Sequence, residues 1–202
     1  MTQRGTLILV VGPSGAGKDS IIAGAAERCR GEPRIIFARR VITRPAAAGG
    51  ESHIAVSPSE FAERRDAGQL MLHWQAHGFD YGLPQQLAAA LEQGSSVVAN
   101  VSRTILNEAR RTFSPVTVVA VAASPATLAA RLAVRGREAA SDIAHRLERA
   151  GALSAGEPDF TIDNDGPLDV AVDRFIEVLR DVVGGPAPRP TTSPQIGPLR
   201  AR

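Results

Sequence analysis

The sequence predicts a doubly wound, mostly parallel α/β fold, and three observations carry that prediction. Short unbroken apolar runs recur, with residues 6–11 (TLILVV) and 116–122 (VTVVAVA) the clearest, as strands buried on both faces of a parallel sheet require. Helical stretches separate these runs, so β-loop-α units repeat along the chain. A glycine-rich stretch follows the first run directly and opens a helix.

Each element has its own local reason. Residues 6–11 form the first strand, residues 12–17 the glycine-rich turn, and about 18–29 the first helix. Residues 35–37 (IIF) read as a second strand. Residues 38–95 are less regular, with Gly49-Gly50 breaking any element there. Within them Ser57-Pro58-Ser59-Glu60 opens a helix by a capping-box spacing with proline in the first turn, and aromatic residues gather from Trp74 to Tyr81. A helix over about 84–93 leads into a strand over 96–101, and 116–122 is another buried strand. Ser124-Pro125 caps a helix to about Arg135, and Ser141 opens a further one to about Ala150. A short strand at 160–162 and an amphipathic helix over 168–183 close the domain, expected to span residues 1–183. The tail, 184–202, holds five of the 14 prolines and no acid, and is expected to be disordered.

Composition excludes several classes. Of 202 residues, 44% are hydrophobic and 22% charged, the balance of an ordinary globular chain. No apolar run approaches the roughly 18 residues of a membrane span, and neither a membrane span nor a cleavable signal peptide is expected. The single cysteine, Cys29, excludes an internal disulfide and fits a reducing, cytoplasmic setting; it reads as a small buried hydrophobe. Net charge is +2, but the tail contributes three arginines, so residues 1–183 hold 20 basic against 21 acidic groups. That is not the field of a nucleic-acid binder, and the sequence does not give an oligomeric state. Arginine supplies 22 of the 23 basic residues; the one lysine is Lys18.

Lys18 closes the motif Gly12-Pro13-Ser14-Gly15-Ala16-Gly17-Lys18-Asp19-Ser20, a GxxxxGK phosphate loop between strand and helix. Its glycines let backbone N–H groups turn inward onto a polyphosphate, the helix dipole adds positive potential, and Lys18 reaches the β and γ phosphates. The residue after the lysine is ordinarily Ser or Thr, a ligand of Mg²⁺; here it is Asp19, with Ser20 next. A carboxylate is a hard oxygen donor suited to Mg²⁺, and Asp equally suits a helix N-cap; the sequence leaves both open for Asp19. Arg131, Arg135 and Arg137, followed by Arg146, are spaced to present guanidinium groups to phosphoryl oxygens, or else to form a solvated, salt-bridged helix pair.

The phosphate loop, the R-x-x-x-R-G-R segment at Arg131–Arg137 and Phe160-Thr-Ile-Asp163-Asn164-Asp165 together resemble the guanylate kinase-like branch of nucleoside monophosphate kinases over about residues 5–183. The resemblance implies a P-loop NTPase sheet with an acceptor-binding insertion at about 38–95, and an Arg lid at about 135–146. Arg39-Arg40-Val-Ile-Thr43-Arg44 stands where that branch keeps its acceptor-phosphate segment. True guanylate kinases have a second arginine and a tyrosine after the Thr-Arg pair, where this chain has residues 46–50 and His53. In place of guanine-reading carboxylates it offers His73, and Asn100-Val101-Ser102-Arg103. Those departures, with Lys18-Asp19-Ser20, Glu51-x-His53, Tyr81-Gly82 and Ser102-Arg103, look closer to the ribose 1,5-bisphosphate phosphokinases of bacterial phosphonate degradation, which make 5-phosphoribosyl 1-diphosphate from ATP.

That resemblance implies ATP as co-substrate, Mg²⁺ on Asp19 or Ser20, and a small sugar-phosphate acceptor. Arg40, Arg44, Arg103 and Tyr81 would meet the acceptor phosphates, Glu51 or His53 the ribose hydroxyls, and Lys18, Arg131, Arg135, Arg137 and Arg146 the donor. The alternatives are a GMP-type kinase and a guanylate kinase-like binding module without catalysis. His53, His73 and His77 also fit purely structural places, and Trp74 reads as core.

Overall fold

The computed structural model describes residues 4–46, 51–134 and 157–184. In chain order its elements begin with β1 (Leu7–Val11), α1 (Lys18–Arg28), β2 (Ile35–Phe37), β3 (Val41–Ile42) and β4 (Ile54–Ala55). There follow α2 (Pro58–Asp66), β5 (Leu70–Ala76), β6 (Phe79–Pro84), α3 (Gln86–Glu92) and β7 (Ser96–Asn100). A single 3₁₀ turn (Arg103–Ile105) leads into α4 (Leu106–Thr112), then β8 (Val116–Ala122), α5 (Pro125–Val134), β9 (Phe160–Asp163) and α6 (Leu168–Gly184).

Five strands make a wholly parallel sheet in the order β2-β7-β1-β8-β9, as the apolar runs predict. All five side chains of β1 are buried and alternate between two cores. Leu7, Leu9 and Val11 face a layer with Leu87, Leu91, Leu106 and Ala109 from α3 and α4. Ile8 and Val10 face the opposite layer, with Ile21 and Ala25 of α1, Leu128 of α5 and Phe175, Ile176 and Leu179 of α6. Fully burying one such Leu or Phe is worth about 1.5–3 kcal/mol, so β1 is fixed from both sides and its C-terminal end is a firm base for the loop that follows.

The region that looks irregular in sequence holds a second sheet of four strands, β4-β3-β6-β5. β5 and β6 form an antiparallel hairpin, with His77 (φ 52°) and Gly78 (φ 76°) at its two-residue turn, the left-handed pair such loops require. β3 pairs antiparallel with β6 and parallel with β4, and these strands are too short to show a period in sequence. Trp74, Tyr81, Leu72 and Leu83 from this sheet join the first core layer, so the insertion lies against the main sheet rather than apart from it.

Capping follows the sequence signals. Ser57 accepts from the Glu60 N–H while Glu60 accepts from the Ser57 N–H, completing the capping box of α2. Ser124 accepts from the Thr127 N–H at the start of α5. Gly184, counted with the tail in sequence, is the last residue of α6; residues 185–202 lie outside the described residues, as does the helix expected from Ser141. Cys29 is half-buried against the second core layer, and burial raises its thiol above the ordinary range. Among the described residues no helix is long and apolar enough to cross a membrane.

Candidate active site

The C-terminal edge of a parallel sheet is where strand ends and helix N-termini leave a crevice for ligands. There β1 passes into the loop Gly12–Lys18. Gly12 has φ +153° and lies so close to β8 that a Cβ would collide with the Val121 carbonyl. Gly17, the N-cap of α1, has φ +88°, and a Cβ on it would collide with the Asn164 amide. The Lys18 ammonium folds back over the loop and donates to the carbonyls of Gly12 (2.8 Å) and Pro13 (3.0 Å). Ser20 is exposed one residue beyond Asp19.

Asp19 does not cap the helix. Gly17 holds that place, and Asp19 sits inside the first turn, where a negative charge still meets the helix dipole favourably. Its Oδ1 accepts a hydrogen bond from Asn100 Nδ2 at 2.6 Å, joining the loop helix to the end of β7. Of the two roles open in sequence, capping is the one this geometry removes.

Arg131 comes to the loop from α5. Its Nη2 donates to the Asn164 carbonyl at 2.8 Å, and its Nη1 is buried without a hydrogen-bond partner among the described residues. That unpartnered nitrogen lies 3.8 Å from where a Gly17 Cβ would stand, which aims a guanidinium at the phosphate loop. Arg135, Arg137 and Arg146 lie outside the described residues.

A second cluster flanks β3. Arg40, just before it, grips Glu51 through Nε (2.8 Å to Oε2) and through Nη2 to Oε1, and its guanidinium stands 5.1 Å above the Tyr81 ring. Tyr81 in turn stacks on Trp74 with ring centroids 5.6 Å apart, and the register sets Tyr81 beside both Ile42 and Trp74. Arg44, just after β3, approaches Glu51 at 3.9 Å, yet its Nε and Nη2 are buried with no hydrogen-bond partner among the described residues. Buried guanidinium donors without partners are costly and mark where an anion belongs. His53 is buried, with Nδ1 3.1 Å from the Glu51 carbonyl and Nε2 2.9 Å from that of Arg44. Glu51 and His53, expected at ribose hydroxyls, are thus both engaged within the protein.

The two clusters adjoin. Burial raises the Tyr81 phenol above its ordinary value; Arg40 and Arg44 draw it down, while the charges of Glu51 and Asp19 push it up. The charge of Asp19, in the first turn of α1, is therefore felt at the second cluster. Arg103 opens the 3₁₀ turn beyond β7, half-buried on the same edge of the sheet. His73 is exposed on β5 and His77 sits at the hairpin turn, so neither joins either cluster. Trp74 is core, as its composition suggests, and also a stacking partner.

Two residues essential to this geometry are asparagines that sequence reading does not single out as site residues. Asn164, only 2% exposed, donates Nδ2 to the Ala16 carbonyl at 2.7 Å, takes the Ala122 carbonyl with its N–H and receives Arg131 on its own carbonyl. Asn100 holds Asp19. Asn100 ends the buried strand β7 and Asn164 directly follows the edge strand β9, both at the ligand edge of the sheet; a buried polar amide in that place is the signal.

A family model described as guanylate kinase matches residues 4–182. The chain belongs to the guanylate kinase family. Among similar curated members, a ribose 1,5-bisphosphate phosphokinase of Agrobacterium fabrum is 45% identical over 90% of this chain and 100% of its own length. A bifunctional ribose 1,5-bisphosphokinase-thymidine phosphorylase of Cupriavidus pinatubonensis is also 45% identical, over 95% of this chain, which spans only 32% of that protein. A solved guanylate kinase from Anaplasma phagocytophilum superposes with a TM-score of 0.63 at 19% identity, covering 89% of this chain and 86% of its own; that likeness is one of fold.

Proposed function

We propose that this guanylate kinase-family chain is an ATP-dependent ribose 1,5-bisphosphate phosphokinase, transferring the γ-phosphoryl group of ATP to the 1-phosphate of ribose 1,5-bisphosphate and releasing ADP and 5-phospho-α-D-ribose 1-diphosphate. The domain carrying this activity is residues 1–183. The observation that carries the reading is the pair of unpartnered, buried nitrogens on Arg44 beside an acceptor cluster whose one carboxylate, Glu51, is already held by Arg40. Such a cluster receives an anion and has no free acid with which to read guanine. His73 is exposed and Asn100 is taken by Asp19, so neither replaces one. Several relatives at about 45% identity carry the ribose 1,5-bisphosphate phosphokinase name and support this reading over a GMP kinase.

The nucleophile is an oxygen of an already anionic phosphate, so no general base is needed, and catalysis is positioning with neutralisation of charge. The loop amides of residues 12–17 and Lys18 hold the donor phosphates. Arg131 adds a guanidinium there, with Arg135, Arg137 and Arg146 as lid groups. Arg44, with Arg103 and the Arg40–Tyr81 pair behind it, holds the acceptor. Mg²⁺ fits the donor set: among the described residues no three His, Cys, Asp or Glu side chains gather into a metal cage, while one carboxylate, Asp19, stands at the loop. Mg²⁺ favours that mode, one or two carboxylates completed by substrate phosphates, and when bound it neutralises charge on the β and γ oxygens. Ser20 is a second oxygen in reach of the same turn. The lone half-buried thiol suits a reducing cytoplasm.

The decisive experiment incubates the chain with ATP and Mg²⁺ beside ribose 1,5-bisphosphate, GMP and dGMP separately, detecting ADP and a sugar diphosphate. Turnover of the bisphosphate alone is expected. Preferential turnover of GMP would replace this reading, and no turnover of any acceptor would leave a binding module.

A further inference from the structure

Asp19 and Asn100 come from opposite sides of the loop. Asn100 is the last residue of β7, only 8% exposed, and stands in register with Val10 of β1, one residue before the loop departs. Its amide nitrogen donates to Asp19 Oδ1 at 2.6 Å, and Asp19 is the second residue of α1. The Asn100 amide thus holds the Asp19 carboxylate by one of its two oxygens, Oδ1.

Phosphate-loop NTPases ordinarily divide the metal site so that a hydroxyl stands after the lysine and an Asp comes from another strand of the sheet. In this chain the two kinds of group have changed places. The carboxylate is on the loop helix, and a neutral amide is on the strand. An Asp at position 100 would set two carboxylates in contact, and like charges at that distance cannot both stay ionised without a cation between them. An Asn removes that repulsion and donates instead, fixing the orientation of Asp19.

We infer that Asn100 is a positioning residue that holds the Asp19 carboxylate toward Mg²⁺–ATP, the charged half of the metal site having moved from strand to loop. This rests on the ATP and Mg²⁺ part of the reading above and is independent of the acceptor. Partners that orient a metal ligand typically change metal affinity by about 10–100-fold when removed.

The test is the Mg²⁺ dependence of binding of a non-hydrolysable ATP analogue to the full chain, measured by calorimetry, with a parallel titration in EDTA. Asn100→Ala should raise the half-saturating Mg²⁺ concentration about 10-fold while leaving metal-free binding of the analogue unchanged. Asp19→Ser should raise the half-saturating Mg²⁺ concentration by a similar factor. The double variant Asp19→Ser/Asn100→Asp, which restores the usual division, should return to within about threefold of the parent, the non-additivity of two groups in one contact. Equal loss of metal-free and metal-dependent binding in Asn100→Ala would make Asn100 merely structural and overturn the inference. So would a double variant no better than Asp19→Ser, which decides the matter even if Asn100→Ala does not fold. Absence of any nucleotide binding by the parent chain would instead overturn the ATP reading itself.

Discussion

The side-chain amide of Asn164, at the end of β9, donates to the carbonyl of Ala16 in the phosphate loop at 2.7 Å, across 148 residues of sequence. The same residue receives Arg131 on its backbone carbonyl, so loop and arginine are set against each other by one asparagine. Asn164→Ala leaves the Ala16 carbonyl without this partner, a loss of about 1–3 kcal/mol, read as a lower melting temperature and denaturation midpoint. It should also raise KM for ATP several-fold while KM for the acceptor stays near its parent value. An equal rise in both would show that the contact does not belong to the donor side.

Lys18→Ala should abolish phosphoryl transfer and leave the fold standing, since the ammonium holds the carbonyls of Gly12 and Pro13 at the loop rim and belongs to neither core layer. Far-ultraviolet dichroism checks the fold and a coupled ADP assay the rate. A variant keeping more than about a tenth of parent kcat, a barrier change under about 1.4 kcal/mol, would contradict the role of the lysine at the phosphates.

Arg40 and Arg44 should part company under mutation. Arg40 is one half of a largely buried pair with Glu51, their side chains 10% and 16% exposed, and removing one partner of such a pair costs about 3–5 kcal/mol of stability. Arg44→Ala deletes buried donors that have no hydrogen-bond partner among the described residues and only a 3.9 Å approach to Glu51, so its stability should change little while KM for the acceptor rises about 10–100-fold, the worth of charge-assisted hydrogen bonds. Arg44→Lys should recover only part, because an ammonium lacks the planar fork. Thermal melts beside acceptor titrations distinguish the two residues.

Tyr81 is the chain's one tyrosine, so phenolate absorbance reads it alone. Its midpoint should lie above the ordinary 10.0, because burial opposes the charge. Asp19→Asn should lower the midpoint, since the Asp19 carboxylate is among the groups raising it. The linkage has a definite sign. A folded value above the unfolded one means that stability is intact below about pH 10 and declines as pH rises from there through the folded value. Burial of the Cys29 thiol adds a decline of the same sign starting near its ordinary 9.0, and Cys29→Ser should remove that earlier part of the slope.

What the chain discloses before folding follows from the range of the forces involved. β1, β8 and α6 are legible because each is long enough to show its period, and the phosphate loop because its glycines and Lys18 are contiguous. The small sheet is not, since β3 and β4 are two residues each and are held by pairing with strands distant in sequence. Arg40, Arg44 and Tyr81 are legible by resemblance to a family, whereas the grip of Glu51 on Arg40 is a tertiary contact with no local pattern. Asn100 and Asn164 stand in segments the resemblance marks, but their partners are illegible for the same reason: the contacts to Asp19 and Ala16 join residues 81 and 148 apart in sequence.

His53 has a consequence for how this protein can change over time. Its ring spans the carbonyls of Arg44 and Glu51, the residues on either side of segment 45–50, and so closes that segment at its base like the knot of a purse. Whatever length or composition evolution tries between those two residues, the anion-binding arginine and the acid beside it are registered to each other through the imidazole rather than through the intervening chain. The sequence between Arg44 and Glu51 is thereby free to diversify without unsettling the register of the arginine and the acid that flank it.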